Sequence, residues 1–376
     1  MKRLLTILLV FIMILTGAFA SSPTFRFVFG DLDQHPEILI GFCPTYLLLG
    51  FGADFHFIEN NTSELQVLVG GGYNQRMVFQ DPSDGTPFYT VSDGRGITYD
   101  AAQGDLFLRF NQGFMNDLLV LRASIETQYE ANLNSFVDGK NDPLKTQLGP
   151  SFNKTIYPDL SGDAQFLGTS LALRLTYDDM EDTLFTNDGI LAYVEAKVAP
   201  YFLNQWLDGT ANYYSLTANA VFAKTLYNYS TENADWFSIV LIDRVNVNWT
   251  DGSVPINAQG PVSLGRKVRG YNTYSYGTEF SVVNNFDIRF SGPAVGLDGL
   301  RPRVNLFFDM GLGAGDYFNT SINDGVNFLC STGGQITISI FDFIDLGYEV
   351  AYIFTGEKLT KPGDRVVTRF TFFLDF

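Results

Sequence analysis

The most specific chemistry in this chain lies in one arginine and two aspartates. Arg269 sits in Val268-Arg269-Gly270-Tyr271, Asp287 in Asn285-Phe286-Asp287-Ile288-Arg289, and Asp309 in Phe307-Phe308-Asp309-Met310-Gly311. A guanidinium offers five donors in a planar fork that fits carboxylates bidentately, so this set can make an ionic clamp. Gly270 beside the arginine lets the backbone turn sharply or come close to a wall. The alternative is a solvated loop arginine and an ordinary polar aspartate. Catalytic patterns are missing: the sequence holds no G-x-S-x-G, H-E-x-x-H, C-x-x-C or phosphate-loop motif. With 2 His and 2 Cys there is little material for histidine catalysis or a zinc site. The acid pairs Asp178/Asp179 and Glu181/Asp182 fall at a strand end and turn, where solvated carboxylates are the ordinary expectation. No enzyme activity and no cofactor are therefore expected.

The elements that must position the clamp are strands, because the hydrophobic period is two almost everywhere. In the segment from Arg303 to Leu312, Val304, Leu306, Phe308 and Met310 share one face with Leu312, while Asn305, Phe307, Asp309 and Gly311 take the other. The same alternation puts Asp287 and Arg289 opposite Phe286, Ile288 and Phe290, and Glu349 opposite Tyr348 and Val350. About fourteen strands follow, near 37–46, 47–58, 63–79, 95–110, 118–130, 166–178, 189–202, 212–226, 236–249, 278–290, 303–313, 327–340, 345–354 and 364–376. Many reach ten residues or more, longer than the roughly 5–6 of a soluble sandwich and matched to the roughly 9–11 that a tilted strand needs to cross a bilayer. In lipid such a sheet has to close, since every backbone donor and acceptor needs a partner there. The expected fold is all-β, a transmembrane antiparallel barrel. Short connections alternate with long ones at 80–94, 131–165 and 250–277, which should lie outside. Gly70-Gly71-Gly72 interrupts one strand, where a bulge or bend is expected.

Composition agrees with an exported membrane protein. Lys2 and Arg3 precede the apolar run Leu4–Leu15, and Ala18-Phe19-Ala20 offers a cleavage site, so 1–20 reads as a secretory signal peptide and 21–376 as the barrel domain. Without Lys2 and Arg3 the bases number 22 against 41 acids, a net charge of −19. That balance excludes a nucleic-acid partner, since no basic footprint exists to release phosphate counterions. Whether Cys43 and Cys330 pair is open at this stage.

Four segments together resemble the BamA/TamA-type outer-membrane assembly factors, the bacterial surface antigen family. Val268-Arg269-Gly270-Tyr271 is similar to the family's V-R-G-F/Y loop motif, and Phe307, Asp309 and Gly311 to its F-x-D-x-G strand. Tyr177-Asp178 followed by Asp182 and Gly189 looks like its Y-D-x-x-x-D…G strand and turn. Asn285-Phe286-Asp287-Ile288-Arg289 is similar to N-x-E-x-R with Asp for Glu. The likeness covers about residues 166–376. It implies a bacterial outer-membrane location and sixteen strands. It also implies a loop held inside the barrel by contacts of Arg269 with Asp287 and Asp309. The terminal aromatic strand Phe370, Phe372, Leu374 and Phe376 resembles the signal by which such barrels are recognised for insertion. The family's periplasmic POTRA domains have no counterpart, because Ser21 to about Pro36 is too short for one. The function the resemblance implies is insertion or translocation of proteins, or of lipids, through a weak seam between first and last strands. Partners would be outer-membrane lipids and unfolded or exported clients, with a monomer as the working unit. The competing reading is a passive pore or a surface structural protein.

Overall fold

The computed structural model describes residues 25–29, 37–43, 45–78, 97–133, 165–182, 186–231, 234–255, 264, 267–271, 278–292, 300–317, 323–340, 344–355 and 365–374. The segment 1–20 that reads as a signal peptide, the loop 80–94 and Phe376 lie outside the described residues.

All fourteen segments read from the alternation are strands. They are β2 (Glu37–Cys43), β3 (Tyr46–Ile58), β4 (Asn61–Val78), β5 (Ile97–Phe114), β6 (Leu119–Leu133), β7 (Gln165–Asp178), β9 (Asn187–Ala199), β10 (Asn212–Thr231), β11 (Ala234–Ser253), β12 (Thr278–Ser291), β13 (Leu300–Tyr317), β14 (Asn323–Ile340), β15 (Ile344–Ile353) and β16 (Val366–Leu374). Two short ones are additional: β1 (Phe25–Phe29) and the two-residue β8 (Glu181–Asp182). Each strand pairs antiparallel with its neighbour in the order β1 to β7, then β9 to β16, and β8 pairs only with β9. Sequential antiparallel neighbours throughout make an up-and-down meander, the simplest path for a barrel wall.

Faces follow the alternation. On β13, Leu306 and Phe308 are exposed while Phe307, Asp309 and Gly311 are buried. On β15, Tyr348, Val350 and Tyr352 are exposed while Gly347, Glu349 and Ala351 are buried. This is the reverse of a water-soluble protein: the outward face is apolar, and the buried interior holds Asp105, Glu130, Asp287, Asp309 and Glu349. A continuous apolar outer face of this extent is stable against lipid and costly against water, at about 25 cal/mol per Å². Among the described residues no helix is long and apolar enough to cross a membrane.

The wall curves around an interior. A cavity of about 700 Å³ is lined from β3 by Tyr46, from β5 by Asp105, from β7 by Arg174, from β9 by Glu195, from β10 by Tyr213 and from β11 by Asn246. Ion pairs brace this side, Lys197 with Glu126 at 2.7 Å and Arg174 with Glu195 at 2.6 Å.

One expectation is corrected here. The register of β3 with β4 runs unbroken through Gly70, Gly71 and Gly72, so these glycines make no bulge. They make room instead: a Cβ on Gly70 would collide with the Tyr46 phenol, whose hydroxyl donates to Asp105 Oδ2 at 2.5 Å.

Candidate functional site: a loop clamped to the inner wall

The clamp residues come from three stretches of chain. Val268–Tyr271 belongs to the connection between β11 and β12, Asp287 to β12 and Asp309 to β13. In the β12–β13 register Asn285 stands opposite Asp309 and Asp287 opposite Phe307, which sets both carboxylates on the inner face of adjacent strands. The two carboxylates are almost wholly buried, and the Arg269 side chain is 20% exposed.

Arg269 uses most of its donors. Its Nε gives a hydrogen bond to Asp309 Oδ2 at 2.8 Å and one terminal nitrogen gives another to Asp309 Oδ1 at 2.7 Å. The other terminal nitrogen donates to Asp287 Oδ1 at 2.6 Å. The backbone N–H of Arg269 also donates to Asp309 Oδ2, at 2.9 Å, so the acid fixes the main chain of the loop as well as its side chain. Below the guanidinium lies the Phe307 ring, with Cζ 3.9 Å from the ring centroid, a cation–π stack. Burial alone would depress the Arg269 pKa. Hydrogen bonds and charge from Asp309, then Asp287, outweigh it and hold the group above its ordinary value, so the guanidinium keeps its charge.

Apolar packing flanks the ion cluster. Leu264, Val268 and Tyr271 from the loop join Val283, Leu329 and Ile353 from β12, β14 and β15, with Val367 of β16 against them. Two glycines permit the close approach. Gly270 has φ +87°, and a Cβ there would lie 2.8 Å from Ala351 Cβ. A Cβ on Gly311 would lie 2.7 Å from both Leu264 and Val268. The Tyr271 hydroxyl sits at a backbone junction: it accepts from the Cys330 N–H at 3.1 Å and faces the carbonyls of Cys330 at 2.9 Å and Thr355 at 2.7 Å. Burial pushes the Tyr271 pKa up, so the hydroxyl keeps the proton it donates. Cys330 is a free, buried thiol.

Other residues named from the sequence lie elsewhere. Arg289 shares the inner face but reaches Asn187 of β9, away from Arg269. Tyr177, Asp178 and Gly189 form the turn between β7 and β9. There Tyr177 donates to Asp179 at 3.0 Å, Asp178 accepts from the Met180 N–H at 3.0 Å, and Gly189 has φ +121°. Asp179 ties that turn by accepting from the Ile190 N–H at 2.6 Å. Asp182 is paired with Asn187 in β8, and its side chain lies outside the described residues. Phe370 is exposed on β16, while Phe372 and Leu374 pair along β15 with Leu346 and Ile344.

Residues the alternation does not single out complete the site. Arg244 of β11 pairs with the second oxygen of Asp287. Asn285 donates to the Lys267 carbonyl at 2.9 Å, and Lys267 itself donates to Asn246 of β11. Burial drives the Lys267 pKa down to about 8. Arg244 could have been found by its register opposite Asn285, next to Asp287. No sequence signal marks Lys267.

No family model and no curated protein matches this chain. Among solved structures it is similar to BamA from Haemophilus ducreyi lacking POTRA domains 1–3, with a TM-score of 0.52 and 10% sequence identity. The match covers 90% of this chain and 64% of that one, so the chain spans less than two thirds of the structure it resembles.

The fold is that of a BamA-like barrel. At this identity the likeness speaks for the fold alone, and the clamp stands on its own geometry.

Proposed function

We propose that this protein is an outer-membrane barrel that assists the insertion or translocation of proteins, or of lipids, at the outer membrane of a bacterium. The observation that carries the reading is the clamp itself. This chain commits two buried carboxylates, a guanidinium and two close-approach glycines to holding a loop against its inner wall. The BamA-like fold and the V-R-G-Y sequence of that loop support the same reading.

The clamp and its apolar flank tie the loop to β12, β13, β14 and β15, with Val367 of β16 packed against them. In this reading the place for change is at β1 and β16, the two ends of the strand order. Among the described residues the first strand, Phe25–Phe29, makes five pairs with β2, against the long ladder that joins β10 to β11. An edge strand with unpaired N–H and C=O groups templates an incoming strand by addition. Clients are unfolded or exported proteins, the surrounding partners are outer-membrane lipids, and the working unit is a monomer. No cofactor, nucleotide or catalytic residue enters this scheme. Export uses the segment 1–20 as a cleaved signal peptide.

The test follows insertion of a urea-unfolded client barrel into liposomes carrying wild-type protein, Arg269→Ala protein, or none. Acceleration by wild type alone supports the reading and the role of the loop. If correctly inserted wild type gives no acceleration over empty liposomes, a passive pore or structural protein replaces it. A large, steady conductance indifferent to Arg269→Ala points the same way.

A further inference from the structure

Arg122 and Arg174 stand opposite each other on adjacent strands of the inner wall. The register sets Asn111 of β5 against Arg122 of β6, Arg122 against Arg174 of β7, and Arg174 against Glu195 of β9. Like charges placed directly opposite destabilise an antiparallel pair. Arg109, two residues from Asn111 on the same face of β5, adds a third cation diagonal to Arg122. The charges that Arg122 feels most are those of Arg109 and Arg174, ahead of Glu64 and Glu195. Three guanidiniums thus gather on three neighbouring strands, in a chain whose acids outnumber its bases by 41 to 24.

The protein answers this charge only in part. Arg174 gives Nε and one terminal nitrogen to Glu195 Oε2, at 2.8 and 2.6 Å. Arg122 gives its Nε to the Asn111 side-chain oxygen at 2.7 Å. Among the described residues no carboxylate comes within ion-pair distance of Arg109 or Arg122. Glu64 is taken by amides, its Oε2 accepting from Asn111 at 2.6 Å and its Oε1 from Gln66. Elsewhere on the wall Lys197, Arg244 and Arg269 each reach a carboxylate. Aromatic rings fix the guanidiniums instead: Arg109 lies over Phe107 at 5.0 Å and Arg174 over Tyr193 at 4.4 Å. A guanidinium stacked by its face keeps its N–H edge for other partners. Arg109 and Arg174 both line the interior cavity of about 700 Å³, so a solute there meets them.

We propose that Arg109, Arg122 and Arg174 form an inner-wall site for a phosphate group, carried by a small solute or by a lipid headgroup. A carboxylate has its oxygens in one plane, which a single guanidinium fork satisfies. A phosphate group presents three acceptor oxygens and about two charges, enough to bridge forks that come from different strands. Its charge also removes the repulsion between Arg122 and Arg174, which the register otherwise leaves standing. The site goes beyond the assembly reading and does not depend on it, since the wall alone brings the arginines together.

The experiment titrates the full chain in detergent with inorganic phosphate by calorimetry, with chloride holding the ionic strength constant. Wild type is expected to bind saturably, and Arg122→Gln and Arg109→Gln should each weaken binding by about tenfold or more. Lys224→Gln, which removes an exposed pair with Asp188, should leave it unchanged. Urea unfolding without phosphate gives a second readout. Arg122→Gln removes one of two opposed like charges, so its midpoint should rise. Dihexanoyl phosphatidic acid, run beside inorganic phosphate, identifies the source: tighter binding of the lipid assigns a headgroup, and equal or weaker binding assigns a soluble phosphate. No saturable binding above the chloride background, or equal affinity in wild type and both arginine variants, overturns the proposal. A lowered midpoint for Arg122→Gln would make that residue a support of the wall and any lost binding a consequence of damage, which overturns it as well.

Discussion

Arg269 binds Asp309 three times, twice through the guanidinium and once through its own backbone N–H. Side chain and main chain of the loop are thus held by one buried carboxylate on β13. Two attachments from a single residue fix the loop's orientation as well as its position, which a lone ion pair does not.

Removing the arginine should be more damaging than removing the whole cluster. Arg269→Ala leaves Asp287 and Asp309 buried with their main counter-charge gone, a change that typically costs about 3–5 kcal/mol. The double variant Arg269→Ala with Asp309→Ala should recover part of that loss, giving a coupling energy of about 1–3 kcal/mol. Urea unfolding of the four proteins measures it, and simple additivity would contradict a direct pair. Arg269→Lys should not restore the wild-type midpoint, because a single ammonium cannot span the bidentate geometry.

Gly270 should not accept alanine. Its φ of +87° costs an L-residue about 1–2 kcal/mol, and the new Cβ would press on Ala351 at 2.8 Å. Gly270→Ala with Ala351→Gly should relieve the contact and leave the backbone term, so rescue is partial. Full rescue in the unfolding midpoint would show that crowding alone matters at this position.

Tyr271→Phe keeps the apolar packing and deletes one hydroxyl. The carbonyls of Cys330 and Thr355 then lose a donor inside the wall, at an expected cost of about 1–3 kcal/mol. Hydrogen exchange at the Cys330 amide should speed up locally, although its bond to Thr355 Oγ1 at 3.0 Å remains. Exchange that rises equally over the whole of β14 would indicate general loosening instead.

Lys267 makes stability depend on alkaline pH. Its folded pKa is near 8 against an ordinary 10.5, so between these values the unfolded chain binds the proton more tightly. Stability attributable to this residue therefore rises as pH climbs from about 8 toward 10.5, and below 8 the buried charge is a constant burden. The difference in unfolding midpoint between wild type and Lys267→Met should shrink across that window. A difference that stays flat would mean that the ammonium is better solvated than its burial implies.

Much of the wall is legible in the sequence because a strand's period of two writes its faces directly into residue order. All fourteen alternating segments are strands, and Asp287, Phe307 and Asp309 face inward as the alternation requires. The two strands that alternation does not find, Phe25–Phe29 and Glu181–Asp182, offer at most two alternations, too few to distinguish from a connection. The Gly70–Gly72 run suggests a bulge, yet glycine there answers to Tyr46 on the neighbouring strand, a partner that the local sequence does not reveal.

What the sequence determined by itself, then, was the two-faced strand and the inventory of charges on the inner face. The meander follows from short connections between such strands. Tertiary structure alone decided which charges meet. Arg269 stands 18 residues from Asp287 and 40 from Asp309, and nothing local obliges a loop to return to the wall. The same holds for Arg244 reaching Asp287 and for Asn204 bonding to the backbone of Thr169, 35 residues away. Periodicity is a local steric property and survives in one dimension. Pairing across the interior depends on strand register and wall curvature, which exist only once the sheet has formed.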